Sequence, residues 1–275
     1  MALSNRVKNS IVCAIIGVTG LFYFSTIREG HDWGDDFSMY ISHARNIARG
    51  IDYKDTGYIY NPFYPSVGPR AYPPVFPLLL SPIYKCYGLN LTPMKIESVA
   101  IFLLFLFLLY LIFKKEFSFR YLAAMLLIIG LSPLFWNFKD TVASDVPFLF
   151  FLYLSFLVIW RAYEAARPRR FNIAYSVIAG FFIYLAYGTR NIGFLLMPGL
   201  FIYEMIRFKR LTRFSIIATL VFCFFTILQS GLLYTDTSYR DQLALELKVI
   251  LRNLFLYTRA MSNIWDNGYN KILKD

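Results

Sequence analysis

The chain has 275 residues, of which 57% are hydrophobic, 19% aromatic and only 16% charged. That composition excludes an ordinary soluble domain and fits an all-α polytopic membrane protein. The net charge of +11 first suggests a nucleic-acid or acidic-lipid partner, but its distribution along the chain points elsewhere.

Ile11–Ile27 is the first apolar run, preceded by Arg6 and Lys8. No small-x-small cleavage site follows it and later runs repeat the pattern, so it reads as a retained anchor. Close behind it stands GDDFSMYISHARNIARG, residues 34–50. From Asp36 to Arg49 the periodicity predicts a helix, with Phe37, Tyr40, Ala44 and Ile47 on one face and Gly50 as the stop signal. Asp35 falls on the polar face, where a helix N-cap is the simple account. Asp36 falls at the edge of the apolar face, near Tyr40 and His43. A first-turn acid complements the helix dipole, but one aimed at the apolar side needs a partner or a chemical task. His31 and His43 lack zinc-binding spacing, so an oxygen-rich site for Mg²⁺ or Mn²⁺ is chemically easier there.

Val75–Tyr87 (VFPLLLSPIYKCY) contains Pro77 and Pro82 and is too short to span a bilayer. It reads as a short helix in the outer interface, since counting it as a span would reverse every later connector. Spans follow at Ile96–Phe113, Tyr121–Trp136, Val146–Trp160, Phe171–Tyr187, Ile192–Ile206 and Phe214–Tyr234, making seven with the first. With the N-terminus cytoplasmic, KKEFSFR, RAYEAARPRR and RFKRLTR share its side. That side carries thirteen Lys/Arg against three acids, and the opposite side fifteen against fourteen. The asymmetry is the positive-inside pattern and requires no nucleic acid.

Arg28–Lys95 then forms one long outer loop and Asn137–Asp145 a short one that supplies Asp140 and Asp145. Asp145 stands where an N-cap is expected. Arg190, in the turn GTRN, either snorkels to the interface or holds a phosphate. Arg70, just before Tyr72-Pro73-Pro74, has the same two readings. Residues 1–234 form the membrane module and 235–275 an outer tail. In that tail Leu243, Leu247, Ile250, Leu251, Leu254 and Met261 share a face opposite Lys248, Arg252 and Arg259, as in an amphipathic helix. Cys13, Cys86 and Cys223 show neither metal nor disulfide spacing and are expected as small core hydrophobes.

Four words carry a resemblance: GDDFSMYISHARNIARG, YNPFYPSVGPRAYPPVFPLLLSPIYKCYGLN, SPLFWNFKDTVASDVPFLFFLYL and AGFFIYLAYGTRNIGFLLMPGLF. Together they resemble the GT-C membrane glycosyltransferases that use polyprenyl-phosphate sugars, in particular the family 39, protein mannosyltransferase and aminoarabinose-transferase-like group. The resemblance implies a GT-C-like fold of about seven transmembrane helices with interfacial helices in the first outer loop. It implies transfer of a hexose or pentose from a polyprenyl-phosphate donor to a glycan, lipid or protein acceptor on the periplasmic or lumenal side. A bacterial inner membrane is the expected location. The family's catalytic carboxylate after the first span maps onto Asp36, with Asp35 second. Asp145, with Asp36, is the expected place of a divalent cation, Mg or Mn. Arg190 and Arg70 become phosphate contacts, with Tyr40 and Tyr72 as substrate-binding neighbours. Only the N-terminal conserved part of the family's architecture is matched, which a truncated product, a minimal enzyme or a subunit with a membrane partner would all fit. A non-catalytic subunit and a lipid or sugar flippase are the alternatives. A flippase would keep ionisable groups within its spans, and the middles of these runs are almost free of charge.

Overall fold

Within a bilayer every backbone N–H and C=O must be satisfied inside the chain, so apolar runs of this length fold as helices. The computed structural model describes residues 4–31, 36–59, 61, 63, 68–69, 71–165, 173–233 and 255–256. Its helices are α1 (Asn5–Ser25), α2 (Phe37–Arg49), α3 (Val75–Tyr87), α4 (Leu91–Phe113) and α5 (Phe119–Gly130), followed by α6 (Pro133–Phe138), α7 (Asp145–Ala165), α8 (Ile173–Thr189), α9 (Leu196–Phe208) and α10 (Arg213–Leu233). A 3-10 helix, Asn191–Leu195, leads into α9. Among the described residues five helical segments are long and apolar enough to cross a membrane, and α5 and α8 are shorter apolar helices. These seven overlap the seven predicted runs. The amphipathic tail expected at Thr235–Asp275 lies outside the described residues apart from Phe255 and Leu256.

One run differs from the expectation. Tyr121–Trp136 is not a continuous span: α5 ends at Gly130 and α6 restarts at Pro133. Proline has no N–H to continue the ladder, and it forces the preceding residue out of the helical region. Ser132 accordingly adopts φ −61°, ψ 127°, and Pro133 opens the next helix at N1. The cysteines differ as well. All three are free and exposed, because the outward face of a membrane helix can stay apolar without being covered by protein.

Polar contacts define two ends of the bundle. Lys95 Nζ donates to the carbonyls of Arg28 and Gly30 at 2.7 and 2.6 Å, while the Tyr110 hydroxyl donates to Asn9 Oδ1 at 2.5 Å. So α1 and α4 run antiparallel. Lys95 lies 3.8 Å from Asp140, before α7, and Lys115 lies 2.8 Å from Glu164, near its end. So α4 and α7 run parallel. At 1.5 Å rise per residue, the 21 residues of α7 separate its two ends by roughly 30 Å. Because Arg28 and Lys95 meet at one end, the chain between them leaves and re-enters the bundle on the same side. That is why α3 is not a span.

Helix α8 packs between α7 and α10. A Cβ at Gly180 would run into the Ala218 carbonyl oxygen, so α8 and α10 touch backbone to backbone, as small residues allow. A separate cluster of Tyr40, Ile41, Ala44, Tyr72, Phe76, Leu80, Met94 and Val142 joins α2 and α3 to the start of α4. Val75 reaches α8, where a Cβ on Gly188 would lie 2.5 Å from its Cγ2. At the opposite end the buried Glu204 carboxylate accepts from the Tyr163, Thr212 and Ser215 hydroxyls and from the Thr212 N–H, each at 2.6 Å. It ties α9 and α10 to α7 and faces away from the Asp145 end.

Candidate active site

Helix α2 stops at Gly50, whose φ of +65° is the left-handed conformation that glycine adopts without a Cβ penalty. At its other end Asp36 holds the N-cap position but makes no side-chain capping bond. Its backbone is helical (φ −74°, ψ −16°) rather than extended, so the carboxylate is not turned back onto the first-turn N–H groups. It accepts instead from the Tyr72 hydroxyl at 2.5 Å. The N-cap expected at Asp35 is therefore displaced by one residue, and Asp35 itself lies outside the described residues.

Tyr72 is held from behind. Its N–H donates to His43 Nε2 at 3.2 Å, His43 Nδ1 lies 2.8 Å from the Tyr53 carbonyl, and the Tyr53 hydroxyl donates to the Tyr72 carbonyl at 2.8 Å. Since Nε2 must accept, Nδ1 carries the proton and the ring is neutral. The imidazole also stacks on Tyr53 with centroids 4.1 Å apart. Burial pushes the His43 pKa down to about 4, against the opposing pull of the Tyr53 carbonyl. Asn46 Nδ2 donates to the carbonyls of Asp52 and Asp55 at 3.0 and 2.8 Å, folding the following loop back onto α2.

Tyr40 extends the site toward α7. Its hydroxyl lies 2.8 Å from Ser144 Oγ, and Ser144 precedes Asp145. Asp145, in the first turn of α7, is ion-paired with the guanidinium of Arg190, which follows α8. These two residues, expected as separate cation and phosphate contacts, are partners in the fold. Both side chains remain over a third exposed, 41% for Asp145 and 37% for Arg190. Arg70 lies outside the described residues. Asp140 is a structural tie: it accepts from the Arg28 N–H at 2.7 Å and Nε at 2.8 Å, and from Lys139. Burial raises its pKa, but the hydrogen bonds from Lys139 and Arg28 outweigh that and hold the carboxyl below its ordinary value.

A largely apolar groove of about 630 Å³ runs between α4, α7 and α9, lined by Phe148, Leu152, Trp160, Ile192, Gly199 and Tyr203 among others. Phe148 is one turn on from Asp145 and Ile192 two residues on from Arg190. Those two lining residues thus follow the ion pair closely along their helices, while Trp160 lies about four turns further along α7.

Among the described residues no three His, Cys, Asp or Glu side chains converge on a cation position. Asp145 is engaged by Arg190 and Asp36 by Tyr72. Asp32 and Asp35, beside Asp36, lie outside the described residues, and the chemistry below is derived without the divalent cation expected at Asp145 and Asp36. His43, Tyr53 and Ser144 were not singled out as site residues by sequence. His43 stood on the right helical face, but nothing in its spacing named Tyr72 or Tyr53 as its partners.

A protein-family model described as Dolichyl-phosphate-mannose-protein mannosyltransferase matches residues 71–234. The match includes Tyr72, Asp145 and Arg190 and begins after Asp36. No curated protein and no solved structure matches the chain.

Proposed function

We propose, for a chain that belongs to the dolichyl-phosphate-mannose-protein mannosyltransferase family, that sugar transfer takes place at the Asp36 end of the bundle. The family makes the protein an integral membrane glycosyltransferase that draws on a polyprenyl-phosphate sugar. In the proposed reaction Asp36 takes the proton from an acceptor hydroxyl as its oxygen attacks the anomeric carbon. The bond between that carbon and the phosphate oxygen breaks, the configuration inverts, and polyprenyl phosphate leaves. A positioned general base typically contributes about 10²–10⁴ in rate.

Tyr72 aims the Asp36 carboxylate, and His43 and Tyr53 aim Tyr72. Arg190 stabilises the charge building on the departing phosphate, and Asp145 keeps the guanidinium directed while leaving it accessible. Tyr40, tied to Ser144, lines the space between the two charged groups, and Arg70 is a second phosphate contact. The prenyl tail lies in the groove that descends from Arg190, so the donor arrives within the membrane plane. The lysine-bearing connectors gather at the other end, which by the positive-inside rule supports a reaction on the periplasmic or lumenal side. A bacterial inner membrane, a hexose or pentose as the sugar, and a hydroxyl of a glycan, lipid or protein as the acceptor complete the reading.

What supports it is that the Tyr72-held Asp36 carboxylate and the Arg190–Asp145 pair stand at one end of the bundle, joined through the Tyr40–Ser144 contact, with groove residues Phe148 and Ile192 close after the pair in sequence. The test is Asp36→Asn in isolated membranes supplied with a radiolabelled polyprenyl-phosphate sugar. Transfer should be lost while membrane insertion is unchanged. Transfer at the wild-type rate removes Asp36 from the reaction.

A further inference from the structure

We propose that the end of the bundle opposite Asp36 contains a binding site for the phosphate headgroup of an anionic membrane lipid. A cavity of about 410 Å³ opens there between α1, α4 and α5. Lys8, Lys114 and Lys115 stand at its polar wall beside Asn9, and Phe119 and Leu122 form part of its apolar wall. The Tyr110–Asn9 hydrogen bond of 2.5 Å fixes one side.

The charges around this space do not balance. Lys115 is ion-paired with Glu164 at 2.8 Å. Among the described residues neither Lys8 nor Lys114 has a carboxylate partner; the Lys114 ammonium sits 5.6 Å from the Tyr110 ring centroid. Glu116, next in sequence to Lys115, is exposed and pairs with none of the three. Two ammonium groups therefore border a polar cavity with no compensating acid among the described residues, and an anion supplies what is missing.

Volume and lining choose the kind of anion. A water takes up about 30 Å³ of liquid volume, so the cavity exceeds what inorganic phosphate needs. The Phe119 and Leu122 wall suits the glycerol and first acyl carbons next to a headgroup. The cavity lies just past the end of α4, one helix length from the start of that span, at the depth where headgroups sit. It is roughly 30 Å from the Asp36 end, so a lipid held here is not the reacting donor, and the inference stands whether or not Asp36 is the base.

The test uses the full chain in vesicles of phosphatidylcholine with and without phosphatidylglycerol, with retained lipid read by native mass spectrometry. At about a factor of five per lysine, Lys8→Gln with Lys114→Gln should weaken phosphatidylglycerol retention roughly 25-fold. Lys209→Gln with Arg210→Gln, on the same side but not lining the cavity, should leave it unchanged, and circular dichroism should report the same helicity for all three proteins. Equal retention by the Lys8/Lys114 variant overturns the site. An equal loss in the control variant reduces it to general surface charge and overturns it too. Displacement of the lipid by inorganic phosphate at equal concentration makes it a free-anion site and overturns the lipid assignment.

Discussion

The Tyr72 hydroxyl and the Asp36 carboxylate, 36 residues apart in sequence, meet at 2.5 Å, and Tyr72 is itself gripped through its N–H and its carbonyl by His43 and Tyr53. A tyrosine bonded at three points has little freedom to wander. The carboxylate it contacts is correspondingly oriented, which is what a base poised for one proton needs.

Removing that contact isolates its worth. A hydrogen bond to a charged group contributes about 1.5–3 kcal/mol, so Tyr72→Phe should lower turnover roughly 10–100-fold. The ring stays, and with it the packing against Tyr40. Initial rates with labelled donor check it; wild-type turnover would detach Tyr72 from the reaction.

His43 makes the site acid-sensitive. Its folded pKa of about 4 lies below the ordinary value of 6.5, so between these values the unfolded chain binds more protons than the folded one. The stability it supports is complete above pH 6.5 and drains away as pH falls toward 4. His43→Gln should flatten that part of the melting-temperature profile relative to wild type in the same detergent. Parallel profiles would show that the ring titrates freely.

For Arg190, binding and stability should separate. The pair with Asp145 is over a third exposed on both sides, and such pairs contribute about 1 kcal/mol or less. Arg190→Ala should therefore raise the donor KM by at least about tenfold, a charge-assisted phosphate bond lost, with little change in melting. Arg190→Lys should recover part of the affinity, since charge persists and the planar fork does not. An unchanged KM in the alanine variant would place the phosphate elsewhere.

The groove can be plugged without touching either charge. Nothing lies within 4 Å of a Cβ built on Gly199, which lines the groove, so the side chain of Gly199→Phe starts in open space and fills volume where the prenyl tail is proposed. Long-chain donors should lose affinity while a short-chain analogue keeps most of its rate. Equal effects on both would move the tail to another face.

Gly180 probes the bundle itself. A Cβ there meets the Ala218 carbonyl oxygen, a backbone atom that cannot swing aside. Gly180→Ala should destabilise the α8–α10 contact by about 1–3 kcal/mol, read as a lower melting temperature in detergent. A neutral result would mean that these helices separate at little cost.

Much of the architecture was present in the sequence because it depends on local quantities. Hydropathy over a helix length located the seven runs, length and prolines excluded Val75–Tyr87, and lysine and arginine counts sorted the connectors between two ends. The break at Ser132 and Pro133 was written there too, but a hydropathy window averages across a proline that the backbone cannot ignore. What the tertiary structure alone decided is pairing. Arg190 and Asp145 are 45 residues apart, and Arg28 and Asp140 are 112 apart. An isolated acid or base shows its charge in the sequence but not its partner, because the partner is set by which helices pack and which ends they bring together. Asp140 and Asp145 stand five residues apart in one loop. Packing made Asp140 a tie among buried lysines and Asp145 the accessible companion of an arginine.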